Sequence, residues 1–143
     1  MEKKEFKKTL EALLHKYGFS YINKSYYCSN EELIVVVSVQ KSDYSQDYYI
    51  NYGFLIKSIY PDKIYPKDCE CDFFGRFVLD INDIECGRIC ISDLDAETFS
   101  MSAGKFIDKK IKPVFDLGIR KYIEMNPSAK VTAKLKAKEY LGI

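Results

Sequence analysis

A chain of 143 residues is long enough to bury a sizeable core and is expected to form a single domain over residues 1–143. Apolar residues at 47% and charged residues at 30% exclude a disordered polymer, and twelve tyrosines with no tryptophan leave the aromatic packing to phenol and phenyl rings. The net charge is only +1 but unevenly spread: nine acids against Arg76 and Arg88 give −7 from Asp68 to Glu97, and ten Lys and Arg against four acids give +6 from Thr98 to Ile143.

In chain order, Met1 to Glu5 lead into an amphipathic segment with no apolar h-region, so no signal peptide is read there. Phe6, Leu10, Leu13, Leu14 and Tyr17 recur at helical spacing, and Gly18 is placed to end that helix. Ser20 to Cys28 alternates loosely and reads as one edge strand. Leu33 to Ile56 reads as the central hairpin: Leu33, Val35, Val37 and Val39 share one face and Ile34 and Val36 the other, so the first strand is covered on both sides. In its partner, Tyr48, Ile50, Tyr52, Phe54 and Ile56 oppose Tyr49, Asn51, Gly53 and Leu55.

Pro61 and Pro66 bracket a loop. Phe73 to Ile81 is a further extended piece, broken by Gly75 and Arg76 and leaving through a turn at Asn82 and Asp83, and Glu85 to Asp95 reads as irregular or strand. Ser102 is placed to cap a helix through Phe106, Ile107, Ile111, Val114 and Phe115, which Pro113 should kink or restart. Ile119, Tyr122 and Ile123 mark another helix, and Asn126 with Pro127 ends it and opens the last one. The pattern implies an α+β fold: an N-terminal helix, an antiparallel meander of about four or five strands, and C-terminal helices packed on the sheet.

These features together resemble the bacterial family known as domain of unknown function 4304. The resemblance rests on the helix ending in Gly18 and Phe19, on Gln40, Lys41 and Ser42 closing the first long strand, and on Ile50, Asn51, Tyr52 and Gly53 in its partner. Gly75 with Arg76 and the run Pro113, Val114, Phe115, Asp116 complete it. Where that family has a histidine and a second arginine ahead of the Arg76 position, this chain has Asp72 and Phe73. The resemblance implies a fold and, loosely, bacterial conflict loci in which toxins and immunity proteins neighbour such genes; it implies no activity.

Enzymatic chemistry finds little support in the residues. His15 is the only histidine and falls opposite Phe6 on the first helix, and no glycine-rich phosphate loop or nucleophile elbow is present. Cys69, Cys71, Cys86 and Cys90 lack the two-residue knuckles of common zinc sites and read as thiols. Asp93, Asp95 and Glu97 have no glycine hinge for a calcium loop. No catalytic residue, metal ligand or cofactor is assigned.

The function expected is a non-catalytic protein-binding module, immunity-like, acting in the cytoplasm and away from membranes. The residues expected to contact the unidentified protein partner are Gln40, Ser42, Tyr44, Arg76, Asp93 and Asp95, with Tyr44 set in a polar link where an aromatic ring is hard to bury. The alternative is a small enzyme or nucleic-acid binder using the sheet face, with Arg76 and with Lys130, Lys134, Lys136 and Lys138 of the basic C-terminal helix on phosphate.

Overall fold

The computed structural model describes residues 1–143 and has an N-terminal helix, a five-stranded antiparallel sheet and a set of C-terminal helices. Helix α1 (Lys3–Lys16) precedes β1 (Ser20–Ile22), β2 (Ser25–Ser29), β3 (Leu33–Lys41), β4 (Tyr48–Ile56) and β5 (Phe73–Arg76), which lie side by side in sequence order. A separate hairpin follows, β6 (Leu79–Ile81) and β7 (Ile84–Cys86). Then come α2 (Ala96–Phe106), a π turn (Ile107–Ile111), α3 (Lys112–Leu117), α4 (Ile119–Met125), α5 (Ala129–Thr132) and α6 (Leu135–Leu141). No helix is long and apolar enough to cross a membrane.

Alternation along the strands decides which side each residue joins. Leu33, Val35 and Val37 of β3 pair with Ile56, Phe54 and Tyr52 of β4, and all six are buried in the main core with Phe6, Leu10 and Leu14 of α1. Phe99 of α2, Ile107 and Ile111 of the π turn, and Ile119 and Tyr122 of α4 close that core from the helical side. The opposite face has its own small core, Ile34, Val36, Leu55 and Cys71, so β3 is covered on both sides as its unbroken apolar run requires.

Four segments differ from the sequence expectation. The stretch from Ser20 to Cys28 is a hairpin rather than one edge strand, because Asn23 and Lys24 both take positive φ, 52° and 69°, and turn the chain in two residues. Phe73 to Ile81 divides between two sheets, with Phe77 bonded to Ile50 before the chain leaves for β6. Ser102 does not cap a helix: α2 is capped seven residues earlier, where the Asp95 carboxylate accepts from the Thr98 amide at 2.7 Å. Ser102 lies inside α2 and its hydroxyl donates to the Asp80 carbonyl at 3.1 Å. The last helix is broken in two at Ala133, whose extended backbone separates α5 from α6.

The restart at Pro113 is as expected. It sits in the first turn of α3, directly after the π turn, where a missing amide is tolerated. The Glu32 carboxylate ties the C-terminal helices to the sheet, accepting from the Ile119 amide at 2.9 Å and from the Tyr140 hydroxyl at 2.8 Å.

Gly75 is required by close approach. A Cβ there would stand 2.6 Å from the Tyr52 hydroxyl oxygen, while Tyr52 is buried and shares a 3.3 Å hydrogen bond with Tyr122. Gly75→Ala is therefore expected to displace the phenol and lower stability by about 1–3 kcal/mol. A urea titration should show a lower midpoint at unchanged slope.

The loop from Ser58 to Asp72 covers half of the second sheet face. Gly53 lets it approach, since a Cβ at that position would meet Cys71 Sγ at 2.7 Å and the Asp68 carbonyl at 3.0 Å. Asp72 anchors the end of the loop: its Oδ2 accepts from the Ile56 amide at 2.7 Å, whereas Oδ1 is buried without a hydrogen-bond partner. Burial pushes the Asp72 carboxyl pKa up, outweighing the Ile56 amide and the nearby Lys134 ammonium, both of which lower it. The folded state thus holds this proton more tightly than the unfolded chain, and the associated stability is present at low pH and lost as pH rises through the folded pKa. Relative to Asp72→Asn, the wild type should gain stability as pH falls from about 7 toward about 4, near the unfolded carboxyl pKa. Denaturation midpoints of both proteins across that range check it, and a constant difference would contradict the assignment.

Candidate functional site

The other half of the second face is open. Gln40 closes β3, Tyr49 and Asn51 open β4, and Arg76 ends β5. Gln40 stands opposite Tyr49, and Asn51 opposite Arg76, so strand alternation projects all four from the same side, away from the main core. Phe74, opposite Gly53, joins them and is 54% exposed.

These side chains form a bonded cluster around the guanidinium. Arg76 Nε donates to Asn51 Oδ1 at 3.1 Å, and Arg76 Nη2 donates to Gln40 Oε1 at 3.3 Å. Asn51 Nδ2 donates to the same Gln40 oxygen at 3.0 Å, which fixes the two amides relative to each other. The Arg76 Cζ lies 4.0 Å from the centre of the Tyr49 ring, a cation–π contact contributing about 0.5–1 kcal/mol at an exposed position. The arginine stem passes Gly87, where an added Cβ would lie 3.9 Å from Arg76 Cδ. No carboxylate pairs with Arg76, and both N–H groups of Nη1 remain open to a ligand. A planar cation held on one edge and stacked on a ring is prepared to take a carboxylate or phosphate through its free edge.

The structure brings together two of the residues expected from sequence, Gln40 and Arg76. Ser42 and Tyr44 sit at the same end of the sheet, in the turn joining β3 to β4: the Ser42 amide donates to the Asp47 carbonyl, its Oγ accepts from the Tyr44 amide at 3.2 Å, and Tyr44 is 99% exposed. Asp93 and Asp95 are exposed on the segment entering α2. That segment reaches the hairpin end through mutual backbone bonds of Tyr48 and Ile89, at 2.9 and 2.8 Å, and through the Arg88–Asp47 ion pair at 2.9 Å. Asp95 spends its carboxylate on capping α2, and the Thr98 amide holds its pKa below the usual carboxylate range.

The acidic stretch from Asp68 to Glu97 is not one surface. Asp72 is buried, Glu70 pairs with Lys63, and Asp80, Asp83 and Glu85 belong to the β6–β7 hairpin. Tyr49, Asn51 and Phe74 were absent from the sequence-derived site. Alternation in β4 had placed Tyr49 and Asn51 opposite the core, but only the β4–β5 register sets Asn51 against Arg76.

His15 lies on the solvent side of α1, with Nε2 3.8 Å from Glu11. Cys71 is buried, and burial, followed by the charges of Asp72 and Asp68, pushes its thiol pKa up, so it packs as a small apolar residue. Cys69 is exposed, and no three His, Cys, Asp or Glu side chains converge closely enough to share a metal ion.

The cluster, the two close-approach glycines and the Pro113 restart all lie within residues 10–117, the span matched by the model of the family described as Domain of unknown function (DUF4304). No curated protein and no solved structure matches the chain. With about three quarters of its length covered by that model, the chain belongs to the DUF4304 family.

Proposed function

We propose that this chain is a non-catalytic module that binds another protein through the open half of its sheet, working as an immunity-type inhibitor in the bacterial cytoplasm. The observation that carries the reading is the exposed Arg76, held by Asn51, Gln40 and Tyr49 with Nη1 unbonded, on the same strand face as the exposed ring of Phe74. Arginine and aromatic residues are the types that dominate protein interfaces, and an arginine already ordered loses little further entropy on binding. Arg76 takes a partner carboxylate, Phe74 supplies apolar area, and Tyr44 extends the contact at the hairpin tip. Asp93 and Asp95 lie on the rim, where charge acts on the association rate. The face offers no nucleophile beside a base, which favours binding over bond-making.

A second reading has one observation behind it. An exposed phenyl ring beside an arginine on a sheet face is also how single-stranded nucleic acid is stacked. The two readings part in one experiment: immobilised protein is used to capture partners from lysate, with and without nuclease, over a range of salt. The protein-binding reading expects a protein retained through nuclease treatment by the wild type and lost with Arg76→Ala. Retention abolished by nuclease, and falling steeply with salt, would replace it by the nucleic-acid reading.

A further inference from the structure

The five-stranded sheet ends on β1 at one side and β5 at the other, and the alternation of ladder bonds decides which backbone groups each edge has to spare. The Phe77 amide donates to the Ile50 carbonyl at 2.7 Å, so bonding to β4 falls on Phe73, Gly75 and Phe77 and turns the N–H and C=O of Phe74 and Arg76 to the outer side. No turn or loop backbone bonds to those four groups. At the far edge, the turn at Asn23 and Lys24 makes Ser20 and Ile22 the residues bonded to β2, and only Tyr21 of β1 faces outward. β5 is therefore the edge that can exchange bonds through two successive outward residues.

The side chains beside this edge define what it can accept. Phe74 and Arg76 project onto the open face, the ring 54% exposed. A strand laid antiparallel on β5 sets one residue directly opposite Arg76 and, two positions later, one opposite Phe74, both on that same face. Arg76 has no carboxylate partner and its Nη1 is unbonded, so the first position calls for Asp or Glu. The exposed ring calls for an apolar side chain at the second. A second copy of β5 fails the first requirement: the strand contains no carboxylate, and two arginines would meet at one junction with nothing to neutralise them.

We infer that β5 accepts an extended segment of a partner protein as a sixth, antiparallel strand, with an acidic residue opposite Arg76 and an apolar residue opposite Phe74. This mode of contact rests on the protein-binding reading above and gives the partner a stated form.

Amide shifts and hydrogen exchange of the labelled full chain test it, with the acetylated and amidated peptide Thr-Thr-Glu-Thr-Phe-Thr as probe. The peptide should shift the Phe74 and Arg76 amides saturably and slow their exchange. N-methylation of its Glu and Phe amides should weaken binding by about tenfold or more, as the loss of two backbone hydrogen bonds implies. N-methylation of the Thr between them, whose amide points away from β5, should be tolerated. Replacing the Glu by Lys should weaken binding by about tenfold or more as well. An unbound peptide, equal binding with the Glu and Phe amides methylated, or exchange at Phe74 and Arg76 slowed in the chain alone as its concentration rises, the sign of a second copy, would each overturn the added strand. The protein-binding reading fails separately, when a captured protein is retained undiminished by Arg76→Ala.

Discussion

Truncating Phe54 to alanine is expected to cost about 3–5 kcal/mol of folding free energy, the largest effect of any single change considered. Phe54 is fully buried on β4, between β3 and β5, opposite Val35 of β3 and Phe73 of β5. Its ring centre is 5.6 Å from that of Tyr52 and 5.4 Å from that of Tyr122, so it joins the sheet to α4. The space left behind cannot close easily, because the hydroxyls of Tyr52 and Tyr122 are bonded to each other and hold both rings in place. Differential scanning calorimetry should show Tm lowered by about 10 °C or more. Tyr44→Ala is the contrast: at 99% exposure, removing an equally large ring should change stability by less than about 0.5 kcal/mol.

Replacing Arg76 with alanine is expected to weaken the complex with the captured partner by about thirtyfold, the effect of losing an interface hot spot worth about 2 kcal/mol. The change should lie mainly in the dissociation rate, since an ordered side chain contributes to the lifetime of a complex more than to encounter. Arg76→Lys keeps the charge but not the planar edge, the Nε bond to Asn51 or the same stacking on Tyr49, so it should recover little of the loss. Gln40→Ala and Asn51→Ala act only by loosening the arginine and should each cost a few-fold in affinity. Thermal unfolding of all four variants should remain near wild type, because Gln40 and Arg76 are exposed and Asn51 only half-buried. Surface plasmon resonance with the purified partner gives the rates directly.

Much of this arrangement was legible because the central hairpin obeys a strict two-residue period. From Leu33 to Val37 and from Tyr48 to Ile56 the side assigned to each residue by alternation is the side it occupies. The spacing of Phe6, Leu10 and Leu14 likewise placed α1 on the core. What was missed depended on geometry that a single strand does not encode. The positive-φ turn at Asn23–Lys24 cuts an apparent single strand into a hairpin, and that dipeptide lacks the glycine that announces such a turn most strongly, whereas the turn at Asn82–Asp83 was read from the sequence. Asp95, not Ser102, begins α2, because a mid-helix serine had another acceptor available in the β6 carbonyl of Asp80. The site was half visible for the same reason. Arg76 stood out as a polar interruption of an apolar run and Gln40 as the start of the polar link that ends β3, while Asn51 acquires its role only through register across β3, β4 and β5.

If the open half of the sheet, organised by Arg76, is the surface that binds a protein, amide shift mapping of the isotopically labelled chain on addition of the captured partner will show it. The largest changes should fall on Gln40, Ser42, Tyr44, Tyr49, Asn51, Phe74 and Arg76, with α5 and α6 unaffected. Changes confined to α5 and α6, or to the β6–β7 hairpin, with Arg76 and Asn51 unmoved, would contradict it.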